Sequence, residues 1–241
     1  MSAGRPPPPR DPIDRLPVAG ALQLREVLEL LVHDRRAPTT VRDPEEAWRT
    51  HVVDSLTGLE VAELREATRI ADVGSGAGFP GLALAAALPG SHVDLIESVE
   101  RKCEFMRLAA ERARIANAHV VCDRAETWSA SAPPTGGRES CDAVTARAVG
   151  RLSTLAELAS PLLAGGGVLV AWKGRRDPEE EAEAQRAAEQ LAMAPGPVLA
   201  VGELAGFEHR HLYVFRKEGS TPAGLPRKPG MAKKRPLGID L

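Results

Sequence analysis

The residues with the most evident chemistry stand in one short stretch, Ile70-Ala71-Asp72-Val73-Gly74-Ser75-Gly76-Ala77-Gly78-Phe79-Pro80-Gly81. An apolar run ends in an acid and then in glycines, which let the backbone pass close to a ligand. Pro80 then opens a helix whose N-terminus presents unpaired N–H groups. The next apolar run closes on Glu97, followed by Ser98 and Val99. A carboxylate at that place sits beside the glycine loop at the carboxyl edge of a parallel sheet, where it can accept both hydroxyls of a ribose. The expected ligand therefore carries a nucleoside.

Two nucleoside ligands fit this pattern. Gly76 to Gly81 satisfies GxGxxG, and Glu97 follows at the distance a dinucleotide site requires, so an NAD-linked oxidoreductase is one reading. The other is S-adenosylmethionine. It is favoured by an acid-x-Gly-x-Gly-x-Gly arrangement built on Asp72, Gly74, Gly76 and Gly78, with Phe79 following. Ala125-Glu126 after the third strand would cup the adenine. Candidate catalytic groups are Arg147 at the end of the fourth strand, Lys173 at the end of the fifth, and His51, one helical turn before Asp54. Each has a plainer alternative: an ion pair, a solvated strand end and a structural His–Asp pair. The fourth strand lacks the Asn/Asp-Pro-Pro-aromatic motif of exocyclic amine methylation. Cys141 falls at that strand's entrance, the wrong end for a nucleophile. No His/Cys/Asp cluster has metal-ligand spacing, so no metal is expected.

These groups must be positioned by alternating elements. Residues 19–33 have helical periodicity, and a second helix is expected from Asp43-Pro44 to about Leu56. Strands are expected at 69–73, 92–97, 119–122, 141–145, 168–172, 198–201 and 211–216, with helices at 79–88, 99–115, 152–163 and 179–193. Strands alternating with helices imply an α/β fold. It is expected to be doubly wound and mostly parallel, seven-stranded, with a helix-free antiparallel pair at its end and an N-terminal helical cap. The expected divisions are a disordered Pro-rich leader (1–18), the cap (19–66), the donor-binding domain (67–218) and a basic flexible tail (219–241). The acidic run Glu179–Glu183 reads as a solvated helix face.

Composition narrows the class. The 241 residues are 43% hydrophobic and 27% charged but only 3% aromatic, so the core must be aliphatic. Three cysteines without CxxC spacing argue against a disulfide scaffold and for a reducing compartment. No apolar stretch is long enough for a membrane span, and the N-terminus lacks the h-region of a signal peptide, so a cytoplasmic protein is expected. The net charge of -2 is uneven: the segment from Arg216 onward holds seven basic residues against two acidic ones. Arg227, Lys228, Lys233, Lys234 and Arg235 form a cationic tail suited to RNA phosphates.

The chain resembles the small-subunit ribosomal RNA methyltransferase G family of bacteria, also called glucose-inhibited division protein B. The likeness rests on an ordered set: Val41-Arg42-Asp43-Pro44, His51-Val52-Val53-Asp54-Ser55, the loop 72–81, Glu97-Ser98 with Arg101-Lys102, Ala125-Glu126, Thr145-Ala146-Arg147-Ala148, Lys173-Gly174, Arg210-His211-Leu212 and Pro226-Arg227-Lys228-Pro229-Gly230. Trp172 and the 131–140 loop look peculiar to this chain. The resemblance implies S-adenosylmethionine-dependent methylation of guanine N7 in the 530 loop of 16S rRNA, conventionally position 527, on naked rRNA or on the 30S subunit. An RNA-binding module with a vestigial donor pocket is the remaining alternative.

Overall fold

The computed structural model describes residues 11–148 and 150–239. Most of the expected leader lies outside them; Pro12–Arg15 forms a helical turn and helix Val18–His33 follows. Seven strands form one sheet: β1 (Arg69–Val73), β2 (His92–Glu97), β3 (Ala118–Cys122), β4 (Cys141–Arg147), β5 (Leu163–Lys173), β6 (Met193–Ala200) and β7 (His211–Lys217). Their order is β3-β2-β1-β4-β5-β7-β6. All neighbours are parallel except at β7, which runs antiparallel between β5 and β6. A dinucleotide-binding sheet has six parallel strands in the order 3-2-1-4-5-6, so the β7 insertion removes the oxidoreductase reading.

The strands are apolar on both faces because helices cover both. Side chains alternate: Val168, Val170 and Trp172 enter one core with Ile70, Leu82 and the N-terminal helices, while Leu169 and Ala171 enter the other with Leu155, Ala184 and Phe215. Helix Gly81–Ala87 is apolar all round and buried throughout, as a helix between sheet and cap must be. Strand order reverses between the parallel neighbours β1 and β4, opening a crevice at their carboxyl ends.

Several boundaries differ from the sequence reading. β5 starts five residues early, running through Gly165-Gly166-Gly167, because β4 lies against it with a register shift after Cys141. A Cβ on Gly167 would stand 2.9 Å from the carbonyl oxygens of Cys141 and Asp142. The β6–β7 connection contains a short helical turn, Gly202–Ala205. The acidic run is no solvated face. Glu183 is buried and holds Arg151 and Ser153, Glu180 accepts from Lys173 and the Leu152 N–H, and Glu181 accepts from the Tyr213 hydroxyl at 2.6 Å. Arg176 and the Tyr213 hydroxyl hold the Glu181 carboxyl down at about 2.

The stretch expected as a flexible tail packs against the body as far as Gly238, whose carbonyl accepts from Arg186 at 2.8 Å. Leu225 and Leu237 join the second core, and Ala232 is buried.

Candidate active site

The glycine loop owes its shape to three glycines at positive φ, Gly74 at 70°, Gly76 at 61° and Gly78 at 97°. A Cβ on Gly76 would meet no protein atom within 3.8 Å, so glycine there serves conformation and leaves room beside the loop. Gly78 and Gly81 also serve packing. A Cβ would strike Leu82 at 2.4 Å from Gly78, and Leu95 at 2.1 Å from Gly81, so both permit tight packing. Asp72 is fully buried under the loop, accepting from the Thr145 hydroxyl at 2.9 Å and the Gly81 N–H at 3.1 Å. Burial pushes its carboxyl upward, and these hydrogen bonds oppose the shift.

Beside the loop, at the carboxyl edge of β1 to β4, lies a cavity of about 430 Å³. Of the expected donor residues, Gly74, Glu97, Ser98, Val99, Ala125 and Glu126 form its wall. Asp72, Gly76, Gly78, Phe79 and Arg147 lie outside that wall and shape it indirectly. Glu97 accepts from the N–H groups of Ser98 and Val99 at 2.9 and 3.0 Å and from Gly76 at 3.2 Å, with Lys102 at 3.4 Å. Its carboxylate thus ties the glycine loop to the turn after β2.

The wall also contains residues not expected at the donor: Asp123 and Arg124 after β3, Ala148 after β4, Thr154 and Leu158 on helix Leu152–Ala159, Gly230 and Ala232, and Lys233, which the sequence reading assigned to RNA. Asp123 was findable, since acids just beyond parallel strands face this crevice. Ala148 holds a positive φ of 60°, a strained value for a residue with a side chain, at the point where β4 leaves the sheet. Gly230 donates its N–H to Glu126 Oε1 at 2.7 Å.

A second cluster adjoins the end of β4. The helical run 44–60 includes a π-helical stretch, Trp48–Val53, from which His51 stacks on Phe79 with ring centroids 5.1 Å apart. Its Nε2 is 3.3 Å from the Thr39 hydroxyl. Burial, with help from the nearby Arg147 charge, lowers the imidazole to about 4, so it is neutral at physiological pH. His51 and Asp54 do not pair. Asp54 is buried with Oδ2 2.8 Å from Arg147 and Oδ1 2.8 Å from Arg210. Only the Arg147 contact is aligned as a hydrogen bond. Arg147 also donates to the Thr50 carbonyl, so it fastens the cap to β4. Burial lowers its pKa, and Asp54 opposes the shift. Arg210 rests over the Phe207 ring at 4.9 Å.

Trp172 belongs to the same seam. Its indole N–H donates to the Asp54 carbonyl at 2.9 Å and stands 3.2 Å from the Thr57 hydroxyl. Lys173, expected near the chemistry, is instead bound to Glu180 at 2.7 Å and to the Gly150 carbonyl at 3.0 Å. It is held by the helix after β5, so it is not a plain solvated strand end, and it stands outside the cavity wall.

The five cations of the C-terminal segment divide. Arg227 is consumed internally, with its guanidinium forked onto the buried Glu157. Lys228, Lys233, Lys234 and Arg235 are exposed. Among the described residues no group of three or more His, Cys, Asp or Glu is placed to hold a metal, and no helix is long and apolar enough to cross a membrane.

The same sheet recurs in solved structures. An S-adenosylmethionine-dependent methyltransferase from Aquifex aeolicus superposes with a TM-score of 0.53 over 73% of this chain and 94% of that one, at 19% identity. The fibrillarin pre-rRNA processing protein of Methanococcus jannaschii gives 0.51 over 64% and 67%, at 18% identity. Sequence relatives are nearer. The ribosomal RNA small subunit methyltransferase G of Rubrobacter xylanophilus is 40% identical over 89% of this chain and 82% of its own length. That of Pelotomaculum thermopropionicum is 36% identical over 89% and 90%. The family model described as rRNA small subunit methyltransferase G matches residues 24–212. With that span, this sheet and this glycine loop, the chain belongs to the rRNA small subunit methyltransferase G family and is an S-adenosylmethionine-dependent methyltransferase.

Proposed function

We propose that this chain transfers a methyl group from S-adenosylmethionine to N7 of a guanine in the 530 loop of 16S rRNA, at conventional position 527. The observation that carries the reading is the cavity at the carboxyl edge of β1 to β4, walled by Gly74, Glu97 and Ala125 in a chain of this family. The residues suit the donor. Glu97 offers a carboxylate to the ribose, the loop leaves space at Gly76, and Ala125 offers an apolar surface to the adenine. The donor supplies a methyl already activated by its sulfonium.

The chain's own task is then placement. Guanine N7 has a lone pair and no proton, so the site needs in-line positioning and electrostatics more than a general base. His51, neutral at physiological pH, can accept or donate one hydrogen bond without opposing an incoming phosphate or base. Asp54 holds Arg147 and Arg210 at the rim where the cap meets the sheet, and Arg147 precedes the cavity residue Ala148 directly. Residues 19–66 act as a cap bordering that rim. The exposed Lys228, Lys233, Lys234 and Arg235 face solvent and suit phosphates flanking the guanine. Work on 16S rRNA or the 30S subunit places the enzyme in the cytoplasm.

The test is mapping of N7-methylguanine in rRNA from cells with and without this protein, followed by methylation in vitro of naked 16S rRNA and of 30S subunits. Loss of one N7-methylguanine in the 530 loop supports the proposal. An unchanged modification map refutes it.

A further inference from the structure

The segment beyond β7 lies on the same cavity as the glycine loop. Gly230, Ala232 and Lys233 stand in the cavity wall together with Gly74. The segment is seated by three sets of contacts. Its Gly230 N–H meets Glu126 at 2.7 Å, and the Ala232 carbonyl accepts from Thr154 at 3.2 Å, with Ala232 buried. Arg227 forks onto Glu157, with Nε 2.6 Å from Oε1, and also donates to the Arg235 carbonyl at 2.8 Å. One guanidinium therefore ties both ends of a ten-residue strap to one carboxylate. Thr154, Glu157 and Leu158 lie three and four residues apart and share a face of helix Leu152–Ala159. Thr154 and Leu158 line the cavity while Glu157 anchors the strap beside it.

We propose that residues 226–235 form the outer wall of the S-adenosylmethionine site, and that Arg227 is a positioning residue that seats this wall through Glu157. This rests on the cavity being the donor site. Glu157 is only 3% exposed, so an arginine is the partner that lets its charge stay there. The same ion pair removes Arg227 from the set of RNA-facing cations. Gly230 and Ala232 bring backbone and small side chains against the cavity, and Lys233 adds a cation to the same wall.

The experiment measures the dissociation constant of S-adenosylhomocysteine by calorimetry on the full chain, and donor KM and kcat on the RNA substrate. Replacing Arg227 alone strands a buried carboxylate and risks misfolding, so the informative variant is the pair R227M/E157M, which removes both charges at similar volume. It is expected to bind S-adenosylhomocysteine about tenfold more weakly. Donor KM should rise in step, and kcat at saturating donor should stay within about twofold, the pattern of lost binding without lost chemistry. R227K, which keeps a cation against Glu157 but cannot fork onto it and also reach the Arg235 carbonyl, is expected between the wild type and R227M/E157M. Hydrogen exchange should show that S-adenosylhomocysteine protects the amides of residues 230–234. Unchanged affinity in R227M/E157M, with no ligand-dependent protection of those amides, overturns the proposal. E97A is the control on the underlying reading: if it also binds normally, the cavity is not the donor site, whereas a weakened E97A beside a normal R227M/E157M rejects the strap alone.

Discussion

Asp54 is expected to be the costliest single position in the seam between cap and sheet. Asn at this position keeps the shape but replaces one carboxylate oxygen with an amide that points donors at a guanidinium. Arg147 and Arg210 then share a buried pocket without the counter-charge they have in common, each having stood 2.8 Å from it. Breaking a buried ion pair from one side costs about 3–5 kcal/mol. The side chains of Arg147 and Arg210 are 13% and 20% exposed, so water recovers part of the loss, and the lower end, about 3 kcal/mol, is expected. For a chain of this size that is a fall in Tm of about 6–12 °C. Urea denaturation followed by circular dichroism measures the loss directly. The triple variant D54L/R147M/R210M, with no charge left unpaired, should recover most of it. A loss below about 1 kcal/mol in D54N, or a triple variant no better than the single, would refute the claim that charge pairing holds this seam.

G74V and G76V should fold yet fail to bind S-adenosylmethionine, because valine disfavours φ of 70° and 61° and fills the space beside the loop; normal calorimetric binding by both folded variants contradicts this. E97A should weaken donor binding by about 1.5–3 kcal/mol with a smaller effect on kcat, since a ribose contact is similar in ground and transition states. Equal losses in kcat and kcat/KM would place Glu97 in the chemistry. His51, lowered from 6.5 to about 4, should make the folded chain lose stability as pH falls from 6.5 toward 4, because the unfolded state takes up the proton first. The loss is on the order of 3 kcal/mol, and H51N should flatten that part of the urea midpoint against pH; an identical slope in H51N rejects the assignment. Neutralising the exposed Lys228, Lys233, Lys234 and Arg235 should reduce the salt dependence of RNA binding by up to about 2.8 units of log slope, at about 0.7 per phosphate. An unchanged slope would show that those cations do not meet RNA.

What was legible in the sequence was local. The glycine loop, its buried strand and Glu97 stand within a single βαβ unit, so spacing alone places them at one sheet edge. Strand periodicity shows where Lys173 leaves the sheet but not that Glu180 waits there. The acidic run 179–183 looked solvated for the same reason: Arg151 and Ser153 come from the start of helix Leu152–Ala159 and Tyr213 from β7. The strap was missed because proline and glycine read as a loop free of the core, although its anchor was visible in outline. Glu157 is the one charge in the apolar helix Leu-Ser-Thr-Leu-Ala-Glu-Leu-Ala, and a buried acid in such a helix needs a cation from elsewhere.

Trp172 and Gly58 fit as bulk against vacancy: a Cβ on residue 58 would stand 2.5 Å from the indole ring. Neither position is free to change alone, so substitutions there should be epistatic. Alanine at 58 is harmful beside tryptophan and tolerable beside a smaller side chain at 172, while a smaller side chain beside glycine leaves a void. A lineage could reach the present pairing only through an order in which glycine at 58 came first. Among relatives, the two columns should therefore change together, a large residue at one permitted only by the smallest at the other.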